Sequence, residues 1–508
     1  MNTPHDDLHK LIHSLSRIEK RNFKVQAQTN TIGRRGDGYI RLFDVIARQL
    51  IYNEEDIKQH FRNSYISKNF AYNKHYLFEQ LINCLIDYKN KDISFESQLQ
   101  QFHILIEKGI YNKAAKVLQK LKSNLLNIEE FEKLINVYQQ EIKHANILGV
   151  DMHPLIKHTE EITAKLLNLN QYRLLQHDLY KFMHKNYSPR NKKQVEQLTR
   201  LVKEPLLVKE TRALSERSKI IFHYVHLAYS HLAKNIEKAA FHSDKVIRQM
   251  IPNPWYINNS PIEFVNNLKN HVVIVSDLKR WDEANTTIDR IRLHIDSNKF
   301  TTAVRLACQT RYLYSRVYGY HAQLNKAELE KSLVETEKFL AENDSLITHD
   351  FLYFNLRFYI CSFLFEIGEY KRALYQCNHL VNNNYSTPAA DENQALAAIV
   401  RLIIYYEQGK YDLLPYVVFS TYRHLLKKGQ LYKTEKVILR FLNRDIADVA
   451  PSARSEVHAL FRKLRAELYE LSKEPTEKPF YEYIALLNWL DSKLGNTSLW
   501  EVKLRNKK

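Results

Sequence analysis

The chain has 508 residues, 44% hydrophobic and 12% aromatic, which is more apolar than a disordered polymer. Only 10 glycines and 12 prolines occur, too few for the turns of a sheet-rich fold or for glycine-rich phosphate loops, so long helices with short turns are expected. A balance of 75 Lys+Arg against 57 Asp+Glu, +18, suits an anionic partner: nucleic acid, a membrane surface or an acidic protein.

In chain order, Met1-Asn2-Thr3-Pro4-His5-Asp6-Asp7 has neither a basic nor an apolar run, and no secretory signal is expected from it. Leu8, Leu11, Ile12 and Leu15 then make a helical stripe. Ser16-Arg17-Ile18-Glu19 reads as a capping box opening a second helix through Phe23. A polar break from Thr29 to Gly38 follows, and residues up to about 90 form an N-terminal helical module.

From residue 91 to 445 one short phrase recurs: a turn residue, a spacer, an aromatic or aliphatic residue, two spacers, then a small or aliphatic residue. It reads Gly109-Ile110-Tyr111…Ala114, Lys234-Asn235-Ile236…Ala239, Lys279-Arg280-Trp281…Ala284, Gly368-Glu369-Tyr370…Ala373 and Gly409-Lys410-Tyr411…Leu414. Asn170-Gln171-Tyr172…Leu175 is a weaker version, and Asn186–Lys203 reads as an added helix. Each phrase marks a helical hairpin: the small residue lets two backbones approach, and the ring fills the gap beside the turn. Cys361, seven residues before Gly368, fills the matching small position of a first helix. Pro415 should kink a helix from Tyr411 to Lys428 or mark its first turn. Residues 446–508 read as a C-terminal cap, with helices Ala453–Ser472 and Tyr481–Leu494 ahead of a basic tail from Lys503.

The phrase and its helix pairs resemble tetratricopeptide repeats, a helical-hairpin family with a usual unit of about 34 residues. Here the interval from Lys234 to Lys279 is 45 residues. The resemblance implies an all-α fold, an α-solenoid wound as a right-handed superhelix. Its concave face, lined mainly by first helices, holds a protein or peptide partner. The expected function is therefore a non-enzymatic scaffold or adaptor. Candidate contact residues are the first-helix side chains Tyr224, His231, Asn267, His271, Arg311 and Arg357.

The alternative is RNA or single-stranded DNA binding through the basic segment 181–219, carried by Lys181, Lys185, Arg190, Lys192, Lys193, Arg200 and Lys203. No Walker loop, G-x-G-x-x-G, H-E-x-x-H or G-x-S-x-G occurs, so no cofactor, metal or catalytic group is assigned. Gly33-Arg34-Arg35-Gly36-Asp37-Gly38 reads as a surface turn or a phosphate-holding one. His5, His9 and His13 share a helix face as a solvated edge or a metal-binding pair. His223, His226 and His231 are read as inter-repeat packing or a ligand strip. Most tyrosines, among them Tyr318 and Tyr359, are read as fillers between helices. Four cysteines without pair spacing fit a reducing, cytoplasmic setting, and Phe351–Ile367, interrupted by Asn355, Arg357 and Glu366, reads as a buried helix rather than a membrane span.

Overall fold

The computed structural model describes residues 7–29, 35–62, 64–89, 95–185, 192–347, 351–382, 388–446 and 453–506. Among these residues there are 28 α-helices and no strand. The chain divides into two compact units, residues 1–166 with 298–306 and residues 167–297 with 307–508.

In the first unit, helices Asp7–Ser14, Arg17–Thr29, Arg35–Arg48 and Phe70–Lys89 surround a core of Leu8, Ile12, Phe23, Leu42, Phe43, Ile46, Leu77 and Leu81. The capping box forms: Ser16 N–H donates to Glu19 Oε2 at 2.7 Å, and Glu19 N–H donates back to Ser16 Oγ at 3.2 Å. The break expected to reach Gly38 is shorter, because Gly36 and Gly38 lie inside Arg35–Arg48. Gly33 and Arg34 fall outside the described residues. Farther on, Phe95–Glu107, Tyr111–Asn127 and Phe131–Lys143 pack one on the next.

The second unit repeats that device. Helices Glu216–Leu232 and Ile236–Met250 form a hairpin, as do Pro261–Asp277 with Trp281–Ser297 and Phe351–Glu366 with Tyr370–Asn382. Neighbouring pairs also touch, Ile236–Met250 on Pro261–Asp277 and Tyr370–Asn382 on Pro388–Glu407. Phe351–Glu366 is buried on nearly every side, as read from its sequence. No helix among the described residues is long and apolar enough to cross a membrane.

The recurring phrase has one backbone cause. Its turn residue is left-handed at Gly109 (φ 70°), Lys234 (60°), Lys279 (59°), Gly368 (87°) and Gly409 (67°). The next N–H reaches back five residues to close the preceding helix: Asn235 to Ser230 O at 2.8 Å, Arg280 to Val275 O at 2.8 Å, Glu369 to Leu364 O at 2.8 Å. The residue closing the phrase is fully enclosed at Ala114, Ala239, Ala284 and Ala373. Three further turns of the same kind occur, at Glu129 (φ 54°) before Leu134, at Leu324 (φ 59°) before Leu329 and at Gly429 (φ 66°) before Thr434. At Glu129 and Leu324 no glycine marks the turn, and leucine stands where alanine usually closes it.

Several expectations change. Tyr111 and Tyr411 do not fill gaps; both are exposed, while Trp281, Tyr370 and Ile236 are half-buried. Asn170-Gln171-Tyr172 marks no turn but lies within Met152–Lys185, where the Tyr172 hydroxyl donates to Leu206 O at 2.7 Å. The added helix runs Lys192–Val202. Tyr411–Leu413 is a 3₁₀ turn, and Pro415 occupies the first turn of Leu414–Lys428. Tyr481–Leu494 is not one helix: the backbone is extended at Ile484, between Lys478–Tyr483 and Leu486–Gly495. The segment read as a basic tail is a helix, Leu499–Asn506, through most of its length.

Candidate functional site

The turn ends of three first helices and the C-terminal helices line an open cavity of about 460 Å³. Periodicity places its wall. Tyr314, Tyr318 and His321 occupy one face of Thr302–Gln323, and Tyr359, Phe363 and Glu366 repeat that spacing on Phe351–Glu366. The facing rings interlock: Tyr359 stands edge-on to Tyr314 at 5.4 Å and to Tyr318 at 5.7 Å, and His321 stacks on Phe363 at 3.6 Å between centroids. Tyr481 and Tyr483 from the C-terminal helices complete the aromatic lining.

Three carboxylates edge this cavity, and two have cations. Glu366 accepts from Lys503 Nζ at 2.5 Å and lies 2.7 Å from His321 Nε2. Burial alone would raise its pKa, but Lys503 and then His321 outweigh burial and hold the carboxyl at about 2. Glu482 is paired with Lys234. Asp277 differs. It accepts the Tyr318 hydroxyl at 2.7 Å, and no cation lies within ion-pair distance of it among the described residues. Asp277 is exposed, yet the neighbouring cavity wall pushes its pKa up, with the Tyr318 bond and Lys234 opposing. Burial likewise pushes the Tyr359 hydroxyl to about 12. The result is a tyrosine-lined recess edged by one acid with no directly paired cation among the described residues, an environment suited to a guanidinium or ammonium group.

The sequence-derived candidates lie elsewhere in this unit. Tyr224, Asn267, His271 and Arg357 are buried. Tyr224 packs against Tyr180, and Asn267 Nδ2 donates to Glu263 O at 3.0 Å. Arg357 spreads its guanidinium over Tyr353 OH (2.7 Å), Gln376 Oε1 (2.6 Å) and Asp344 Oδ1 (2.6 Å). His231 is half-buried, its pKa lowered to about 4 by burial and by Lys234 and Lys269. Arg311 Nη1 donates to Ala307 O at 2.8 Å. These six are thus dispersed through helix packing rather than gathered at one opening.

His271 joins Asp244 and Glu283 in a group whose donor types could hold a divalent ion. Its Nδ1 lies 2.9 Å from Ser243 Oγ and its Nε2 3.0 Å from Glu283 Oε1. Arg280 already sits between the two carboxylates as their counter-cation, so a metal would have to displace it. His9 Nε2 lies 2.8 Å from Gln49 O, and its ring packs on His13; His5 is outside the described residues. His226 and His223 are taken up by Leu207 O and His242.

In the basic segment, Lys181, Lys192, Lys193, Arg200 and Lys203 are exposed. Arg190 and the Lys185 side chain lie outside what is described. All four cysteines are buried free thiols.

The cavity was missed in sequence because its parts come from four distant segments. Only the shared spacing of Tyr314/Tyr318/His321 and Tyr359/Phe363/Glu366 could have signalled a common face. No family model, curated protein or solved structure matches this chain.

Proposed function

We propose that the chain is a non-enzymatic, tetratricopeptide-like scaffold that binds an extended segment of a protein partner, taking one basic side chain of that segment into the tyrosine-lined cavity. In this reading the successive hairpins continue as a right-handed solenoid. The repeated left-handed turn followed by an enclosed small residue supports it. The observation that carries the binding role is Asp277, a carboxylate with no directly paired cation among the described residues, held by Tyr318 beside the rings of Tyr359 and Tyr483. An incoming arginine or lysine would supply the missing charge and stack on tyrosine. A reducing, cytoplasmic setting belongs to the same reading, supported by four free thiols.

Panning a random peptide library on the purified chain tests this. The expected selection is peptides sharing one Lys or Arg, whose binding falls about tenfold in Asp277→Asn. Selection with no basic residue in common, or equal binding to the variant, defeats the reading. The exposed cations Lys192, Lys193, Arg200 and Lys203 favour nucleic acid as a second reading. It requires salt-sensitive binding to RNA or single-stranded DNA that is lost when these four become glutamine.

A further inference from the structure

One helix presents an apolar face left exposed among the described residues. Leu414–Lys428 buries Leu414, Val418, Thr421 and Leu425. On its other side Tyr416 is 77% exposed, Phe419 63% and Leu426 58%, with Tyr422 also exposed. At helical spacing these four share one outward arc. Large apolar side chains standing this far into water form an uncommon surface, and contiguous ones mark interfaces.

Charge indicates what the face meets. The helix contains Arg423, His424, Lys427 and Lys428 and no acid; Asp412 is the single acid in the turn before it. Lys428 is paired with Asp391. Arg423 lies over the Phe419 ring at 5.5 Å, and neither it nor Lys427 has an ion pair among the described residues. A second copy of this helix is disfavoured, since two-fold pairing would bring Arg423 and Lys427 of both copies together. The apolar groups stand outward from a single helix face, an arrangement that suits a soft, flat, anionic surface.

We propose that Leu414–Lys428 is a docking ridge for an anionic lipid bilayer. Tyr416, Phe419, Tyr422 and Leu426 enter the headgroup layer while Arg423 and Lys427 engage lipid phosphates. This is the pattern of an interfacial helix, with aromatic and leucine side chains on one face and cations at its edge. Tyrosine suits that depth because its ring is apolar and its hydroxyl reaches water. The net charge of +18 adds attraction to a negative surface.

Co-sedimentation of the full chain with phosphatidylcholine vesicles, with and without phosphatidylserine, tests the proposal. Expected is binding that needs phosphatidylserine, weakens with salt, and falls about tenfold or more in the double variant Tyr416→Ser/Phe419→Ser. Arg423→Gln/Lys427→Gln should also weaken it and flatten its salt dependence. In Tyr416→Trp, vesicles should shift the fluorescence to shorter wavelength. Circular dichroism checks that each variant keeps its helices, and all four positions are solvent-facing. Equal binding by the Tyr416/Phe419 variant overturns the proposal, because net charge alone would then suffice. So does binding to polyglutamate without binding to vesicles, which reassigns the ridge to an acidic polypeptide. A concentration-dependent dimer abolished by the same two changes, without vesicle binding, reassigns it to a second copy.

Discussion

Lys503 Nζ lies 2.5 Å from Glu366 Oε2 although 137 residues separate them, fastening the last helix to the end of Phe351–Glu366. The carboxylate is almost wholly enclosed, only 4% of its side chain being exposed. Trp489 makes a parallel link, its Nε1–H donating to Glu407 Oε1 at 2.7 Å. The C-terminal helices are therefore tied to the repeat helices at several points, instead of simply ending the chain.

Removing one member of this buried pair should be costly. Lys503→Met is expected to destabilise the second unit by about 3 kcal/mol, because Glu366 would be left buried without its main cation. Adding Glu366→Gln should recover much of that loss. Urea unfolding at neutral pH compares the three proteins. An unchanged midpoint for Lys503→Met would show the pair to be open to water.

Acid should act on the same pair. The folded pKa of Glu366, about 2, lies below its ordinary 4.5, so its contribution is complete above 4.5 and is lost as pH falls towards 2. Glu366→Gln is expected to lack this component of acid unfolding. A titration of stability from pH 5 to 2 reads the difference.

A second pH effect has a higher window. His242 lies 3.0 Å from His223, Nδ1 to Nδ1, and stacks on His226 with ring centroids 5.0 Å apart. Burial, followed by these two imidazoles and Lys238, depresses its pKa to about 3. Below pH 6.5 the unfolded chain takes up a proton that the folded His242 resists, so stability falls as pH drops through 6.5 towards the folded value. His242→Gln should flatten the slope between pH 6.5 and 4.5 by about 2 kcal/mol. Thermal melts across that range measure it, and an identical slope in the variant would exclude His242 as the cause.

The turns predict opposite results for opposite substitutions. Gly368→Ala, at φ 87°, is expected to cost about 1 kcal/mol, since a Cβ is disfavoured in left-handed backbone. Lys279→Gly, at φ 59° on an exposed turn, should be neutral or slightly stabilising. Melting temperatures of the two variants should move apart. A common downward shift would mean that the Lys279 side chain matters more than its backbone.

Hairpin closure can be overfilled. Ala284 is fully enclosed, and Ala284→Leu should cost about 1–3 kcal/mol by forcing two helices apart. Leu329 holds a larger side chain at the equivalent place of its own hairpin, where Leu329→Ala should also destabilise, by about 2–5 kcal/mol, through a cavity. Each hairpin is fitted to its own closing residue, and denaturant unfolding of the two variants checks this.

Local features could be read without a structure because their causes are local. The Ser16–Glu19 capping box, the enclosed alanines of the phrase, and Pro415 in a first helical turn all follow from backbone hydrogen bonding within a few residues. The turns at Glu129 and Leu324 escaped detection because left-handed geometry is preferred by glycine but not restricted to it, and glutamate and leucine carry no comparable signal. The break at Ile484 escaped for a related reason, since its neighbours remain helical in period.

By itself the sequence determined that this is a helical chain built on a repeated hairpin turn, since composition and short-range spacing dictate helix and turn directly. Which polar groups face a common space was decided only by tertiary packing. Among the described residues Asp277 has no directly paired cation, while Lys503 and Lys234 pair with Glu366 and Glu482, and those pairings depend on where residues 478–506 fold back. Tyr224, His271 and Arg357 are likewise enclosed because adjoining helices cover the faces on which they stand. Distance along the chain carries no information about such enclosure, whereas the electrostatics of a site depend on it throughout.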